Sequence, residues 1–117
     1  MNKYELKGLV ASAGTCEGTA RVIREESDLE KLLPGEILIA DYTIPDMLPA
    51  MRKSAAIITN QGGILSHGAV VSRELGIPCV VGTVCATERL KTGYQIRIEA
   101  ERIGEGYVHY KPEIGRD

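Results

Sequence analysis

The chain has 117 residues, the length of one ordinary domain with room for a real core and too little for two substrate-binding domains besides. Its 44% hydrophobic and 26% charged residues speak against a disordered, fibrous or membrane-spanning chain. The net charge of -2 comes from interspersed signs with no basic stripe, so nucleic acid is not an expected partner.

No apolar run reaches the roughly 18 residues of a membrane span, and residues 1–6 lack the charged and apolar sections of a signal peptide. No membrane partner and a cytoplasmic location are expected. Cys16, Cys79 and Cys85 are odd in number and form no C-x-x-C pair, which argues against a disulfide framework and a zinc site. Free thiols are expected, with Cys79 a small buried hydrophobe. Five Tyr with no Trp or Phe leave the core to Val, Ile, Leu and Ala.

Residues 4–11 and 19–24 read as two strands around a Gly-bearing connection, as a hairpin or a crossed pair. Ser27-Asp28-Leu29-Glu30 fits a capping box in which the Ser27 hydroxyl serves the Glu30 amide, so a short helix should run to Leu33 before Pro34-Gly35. Three continuous apolar runs follow, at 37–40, 55–58 and 78–81. None alternates, which suits parallel strands covered on both faces. The segments between them, 46–53 and 66–75, are long enough for crossover helices, giving a βαβαβ core. Beyond Gly82, residues 95–99 and 107–110 alternate and look antiparallel. The domain is expected over residues 1–110, with 111–117 a tail.

Chemistry concentrates between 59 and 78, where a strand ends, Gly62-Gly63 turns the chain and a helix begins near His67. Loops at the carboxyl ends of parallel strands gather unpaired helix amides and are the usual place of function in α/β sheets. An imidazole, with an unperturbed pKa of about 6.5, is largely a neutral nucleophile at pH 7 and needs no separate base. A phosphoryl group on His67 would lie at a helix start that favours negative charge by about 0.3 to 1 kcal/mol. Gly62 and Gly63 let backbone approach an anion, and Ser66 can cap the helix or donate to a phosphate oxygen. Gly68, unfavourable inside a helix, fits a need for a bulky object to approach His67. The bland alternative is a plain Gly-Gly turn with a half-buried histidine at a helix start.

Arg73, six residues after His67, points about 120° away from it in helical projection; structural pairing is favoured over contact with the phosphoryl group. Gly76 fits a left-handed C-cap ahead of Pro78. Thr43 and Asp46 follow a neighbouring parallel strand and are candidates of lower rank, Asp46 being equally suited to a helix first turn. His109, on an alternating strand, reads as a surface histidine. No carboxylate and Lys constellation suggests an independent Mg-nucleotide site, and no metal ligands are expected.

The stretch from Gly62 to Gly82, GGILSHGAVVSRELGIPCVVG, closely resembles the signature of the mobile domain of phosphoenolpyruvate-utilising enzymes. Lys7 to Gly14 resembles that family's opening G-x-x-A-S-P-G, with Ala13 where proline is usual. Asp41-Tyr42-Thr43-Ile44-Pro45-Asp46 resembles its D-x-T-x-P-D, and Ala86 to Gly93 the A-T-x-x-L-x-D-G of phosphoenolpyruvate synthases. Leu65 stands where synthases and pyruvate phosphate dikinases commonly carry threonine, as in the relatives that phosphorylate rifampicin.

The resemblance implies that His67 is transiently phosphorylated, and on the reading of the residues above Gly62, Gly63, Ser66, Gly68 and Arg73 are expected to bind or support the phosphate. It implies a swivelling β/β/α fold, a parallel sheet with crossover helices on one side and a more antiparallel sheet on the other. Its partners would be an ATP-binding domain or protein and a phosphoenolpyruvate- or pyruvate-binding one, with ATP and Mg2+ held there and no cofactor on this chain. The chain would then be a phosphotransferase component, not a complete enzyme. The alternative is a stand-alone binding or regulatory module that keeps the fold without being phosphorylated.

Overall fold

The structure is a computed structural model that describes residues 4–112. Seven strands form it: β1 (Glu5–Ser12), β2 (Gly14–Ile23), β3 (Ile37–Ala40), β4 (Ala56–Thr59), β5 (Cys79–Val81), β6 (Gln95–Ala100) and β7 (Glu105–Lys111). They pair in the order β1-β5-β4-β3-β2-β6-β7, and β7 pairs back onto β1, which closes the sheet into a barrel.

The expected βαβαβ core is present. β3, β4 and β5 are parallel neighbours joined by α1 (Leu48–Lys53) and α2 (His67–Leu75). The reason their sequences do not alternate is now explicit. Ile37 and Ile39 point into the barrel with Val22, Ile58, Val80, Ile96, Ile98 and Val108. Leu38 and Ala40 point outward, where Met51, Ile57, Ala69, Cys79 and Val81 pack under the helices. Both faces of the parallel strands are therefore dry.

Three expectations change. The opening strands form no hairpin: β1 lies antiparallel between β5 and β7, while β2 runs parallel to β3 and antiparallel to β6. The parallel and antiparallel strands are thus arcs of one closed sheet, not two stacked sheets. The helices do lie together against one outer arc, and the third, α3 (Ala86–Arg89), instead contributes Ala86 and Leu90 to the barrel interior. Finally, the capping box is displaced. The turn at Glu26–Lys31 is a 3-10 helix whose N-cap is Glu25; Asp28 accepts from the Arg24 and Glu25 amides, and Ser27 Oγ donates to Glu25 instead. Asp28, one residue further on, carries the longer reach and the charge. Those amide bonds, the one from Arg24 foremost, hold its carboxyl below the usual range.

Toward the C-terminus, Lys111, expected as the first residue of a tail, is instead the last residue of β7 and pairs with Gln95 of β6. The rest of the expected tail, residues 113–117, lies outside the described residues. Among the described residues no helix is long and apolar enough to cross a membrane.

Candidate functional site

The parallel strands all end at one rim of the barrel. β3 runs out into Asp41-Tyr42-Thr43, β4 into Asn60-Gln61-Gly62, and β5 into Gly82-Thr83-Val84. Backbone bonds lace these exits together: the Asn60 amide donates to Ala40 O at 3.1 Å, Gln61 to Asp41 O at 2.9 Å, and Thr83 to Thr59 O at 3.2 Å. Side chains extend the lacing. Asp41 accepts from Asn60 Nδ2 at 3.0 Å and from Gln61 Nε2 at 2.8 Å, and Asn60 in turn holds Thr87 through both its amide atoms.

His67 is the first residue of α2 and is half-buried. Its Nδ1 lies 2.8 Å from Oγ1 of Thr43, a buried residue beyond β3. Nε2 has no hydrogen-bond partner among the described residues. The ring is therefore held at one nitrogen and open at the other, so the tautomer and the direction of the free lone pair depend on Thr43.

Gly68 is where the strand exit and the helix meet most closely. A Cβ there would lie 3.0 Å from Thr43 Oγ1. The sequence suggested that Gly68 makes room for something approaching His67; within the chain, that object is the Thr43 side chain itself. Gly62, at φ 114°, has the left-handed conformation that favours glycine, and a Cβ on it would come within 2.9 Å of Ser66 Oγ. Gly63 faces open space.

Ser66 occupies the N-cap position, yet its hydroxyl donates back to Gly63 O at 2.7 Å and caps no amide of the helix. The expected side-chain cap is absent, and the first-turn amides of α2 lack that partner. Arg73 donates to Ala11 O at 2.8 Å and to Ile64 O at 2.7 Å, tying the loop before His67 to the end of β1. This is the structural pairing that its place on the helix suggested. Gly76 ends α2 in the left-handed C-cap expected of it, at φ 74°.

The structure thus brings together Thr43, Gly62, Ser66, His67 and Gly68, with Arg73 buttressing the loop. Asp46 is not brought in: it is exposed in the 3-10 turn Pro45–Met47, and its side chain makes no hydrogen bond among the described residues. The Asp41, Asn60, Gln61 and Thr87 network went unread in the sequence. Its one signal is that Asp41 and Asn60 each directly follow a parallel strand.

The closed α/β sheet thus presents one histidine at a helix start, clamped by a hydroxyl at Nδ1 and without a side-chain cap beside it. Residues 32–103, more than half of the chain, match the family described as PEP-utilising enzyme, mobile domain, and the chain belongs to that family. It is 46% identical over 113 residues to the probable phosphoenolpyruvate synthase of Archaeoglobus fulgidus, covering 95% of this chain and 15% of that protein. To the phosphoenolpyruvate synthase of Pyrococcus furiosus it is 53% identical over 97 residues, 83% of this chain and 12% of that one. The chain therefore spans less than a sixth of these relatives.

Among solved structures, the solution structure of Enzyme I (nEIt) superposes with a TM-score of 0.57 at 30% identity, over 73% of this chain and 34% of that one. The holo-form of aconitase X from Thermococcus kodakaraensis has a TM-score of 0.66 at 23% identity, over 92% of this chain and 98% of that one, and is alike in fold alone.

Proposed function

We propose that this chain is a phosphoryl carrier in which Nε2 of His67 accepts a phosphoryl group from a nucleotide-binding partner domain or protein. It then delivers that group to an acceptor site of the phosphoenolpyruvate or pyruvate type. ATP and Mg2+ act on the partner, and a cytoplasmic location belongs to the same reading. The observation that carries it is the 2.8 Å contact between Thr43 Oγ1 and Nδ1, which leaves Nε2 open beside an uncapped helix start.

The chemistry balances without an added base. In the tautomer with its proton on Nδ1, that N–H donates to Thr43 Oγ1, and the Nε2 lone pair attacks the donor phosphorus. A P–N bond forms as the donor P–O bond breaks, and the bonding pair leaves on the donor oxygen. The ring then carries a positive charge that Thr43 helps to bear, and the new phosphoryl charge lies near the first-turn amides of α2. Delivery reverses the step: an acceptor oxygen attacks phosphorus and the P–N pair returns to Nε2. Gly62, Gly63 and Ser66 leave space for the group, and Arg73 keeps the loop in place.

The test is mass spectrometry after incubation with Mg-ATP and a nucleotide-binding partner. An acid-labile phosphate should appear on the wild type and be lost in His67→Ala. A chain that stays unmodified, or one still modified after that substitution, contradicts the reading. Partner binding unaffected by His67→Ala, with no phosphate in either chain, is the behaviour of a binding or regulatory module instead.

A further inference from the structure

Thr43 and His67 both stand beyond the end of the β3–β4 ladder, which closes with Ala40 opposite Thr59. The last backbone bond between the two exits runs from the Gln61 amide to Asp41 O. Beyond it, neither Tyr42 nor Thr43 makes a backbone–backbone hydrogen bond among the described residues. The hydroxyl that meets Nδ1 therefore stands on a segment that the sheet itself does not fix. Hydrogen bonds weaken steeply as distance and angle depart from ideal, so a lasting contact at 2.8 Å needs that segment held by something else.

Asp41 supplies the hold. Its carboxylate is a fork: Oδ1 accepts from Asn60 Nδ2 at 3.0 Å and Oδ2 from Gln61 Nε2 at 2.8 Å, both on the β4 exit that leads through Gly62 to His67. Asn60 is itself anchored, since Nδ2 also donates to Thr87 Oγ1 at 2.7 Å and Oδ1 accepts from the Thr87 amide at 3.0 Å. One arm of the fork thus ends on a fixed point, two residues before Thr43. Asp41 is exposed and makes no ion pair among the described residues, so its carboxylate is engaged by amide donors alone.

With its consequence for transfer resting on the phosphocarrier reading, we propose that Asp41 is a positioning residue for His67. Its two-armed hold on Asn60 and Gln61 keeps Thr43 Oγ1 against Nδ1, and so fixes the tautomer that leaves Nε2 unprotonated. Asp41 acts as a hydrogen-bond fork and not as a charge.

Two substitutions separate those roles. Asp41→Ala removes both arms. Asp41→Asn removes the charge and keeps the fork: its oxygen still accepts from Asn60, and Gln61, whose Oε1 has no partner among the described residues, can turn its amide over to accept from the new donor. Nitrogen-15 NMR of the unphosphorylated chain at pH 8, with labelled histidine, reads the His67 tautomer. Wild type and Asp41→Asn should hold the Nδ1–H form, and Asp41→Ala should show a mixture. Loading of His67 from phosphoramidate, a small phosphoryl donor that needs no protein surface, should slow about threefold in Asp41→Ala and recover most of its rate in Asp41→Asn. Added to Thr43→Val, Asp41→Ala should slow loading no further, because it acts through that hydroxyl.

A merely structural role would lower the melting temperature of Asp41→Ala and leave the tautomer alone. Should circular dichroism show that variant unfolded, Gln61→Ala cuts one arm at an exposed residue and should give a smaller shift in the same direction. An unchanged tautomer in the folded variants overturns the proposal, and so does Asp41→Asn behaving like Asp41→Ala, which would assign the effect to charge. If the tautomer shifts as stated but phosphoramidate never loads the wild type, the hold on the ring stands and the carrier reading falls. If the wild type loads and the tautomer does not move, the carrier reading stands and the positioning role falls.

Discussion

His67 stands where the parallel strands end, and His109 stands in the antiparallel strand β7; their neighbours differ because the two arcs of the barrel differ. In the antiparallel arc, cross-strand partners reach a ring from both sides. His109 is in register with Glu5 on β1 and Arg97 on β6, its Nδ1 lies 3.3 Å from Glu5, and its Nε2 lies 2.6 Å from Glu99. Both nitrogens are engaged. In the parallel arc each strand exits into a loop and helix, so His67 meets one hydroxyl, at Nδ1, and no carboxylate. The comparison teaches that the fold, more than the residue type, decides which ring nitrogen is left open.

The contrast is broken most severely at Thr43. Thr43→Val keeps the shape and deletes the hydroxyl, leaving the imidazole free to turn and change tautomer. Loading of His67 from phosphoramidate should slow about five- to tenfold, the order of one lost hydrogen bond of roughly 1 to 1.5 kcal/mol. Thr43→Ser should restore most of the rate, and circular dichroism should show both variants folded. A Val variant that loads normally would remove Thr43 from the account.

A smaller effect is expected at Gly68. A methyl there meets Thr43 Oγ1 at 3.0 Å and must displace it by a few tenths of an ångström. Gly68→Ala should slow loading about two- to threefold although alanine is the better helix former. Combining it with Thr43→Val should add little beyond the single Val variant, since both act through one hydroxyl.

The antiparallel arc should be silent in loading and audible only in stability. Hydrogen bonds from His109 first, then Arg97, hold the Glu99 carboxyl below its usual range. A depressed carboxylate contributes stability that is present above its unfolded pKa, about 4.5, and is lost as pH falls through the folded value. Melting temperatures from pH 6 down to pH 3 should therefore fall slightly more for the wild type than for Glu99→Gln. His67 loading should be the same in both. The effect is small because the pair is exposed to solvent.

Much of this was legible in the sequence. The runs at 37–40 and 78–81 announced strands buried on both faces, Gly62-Gly63 followed by a helical segment placed His67 at a helix start, and Gly76 announced the helix end. What was not legible rests on distant pairing. Nothing local says that β1 inserts between β5 and β7, or that β2 joins β3 in parallel, because alternation along a strand carries no record of its neighbours. Thr43 was legible as a lower-rank candidate because it follows a neighbouring parallel strand, whereas its bond to Nδ1 of a residue 24 positions away was not. The capping box misled because the helix starts two residues earlier, at Glu25, where Asp28 and not Glu30 reaches back to the amides and Ser27 lies inside the first turn. Val84 had no signal at all: its positive φ of 74° arises where its amide donates to Asn60 O on the neighbouring strand exit.

Cys79 marks the interior of the same frame. Burial under α2 pushes its thiol up to about 11. In the native protein at pH 8 it should resist a thiol-labelling reagent while partly exposed Cys16 and Cys85 react.

The central claim is that Thr43 holds Nδ1 and leaves Nε2 to carry the phosphoryl group. The direct measurement is nitrogen-15 and phosphorus-31 NMR of the phosphorylated chain with labelled histidine, reading which ring nitrogen is coupled to phosphorus. The account predicts one phosphate, on Nε2 of His67. Coupling to Nδ1, or a phosphate on His109, would contradict it.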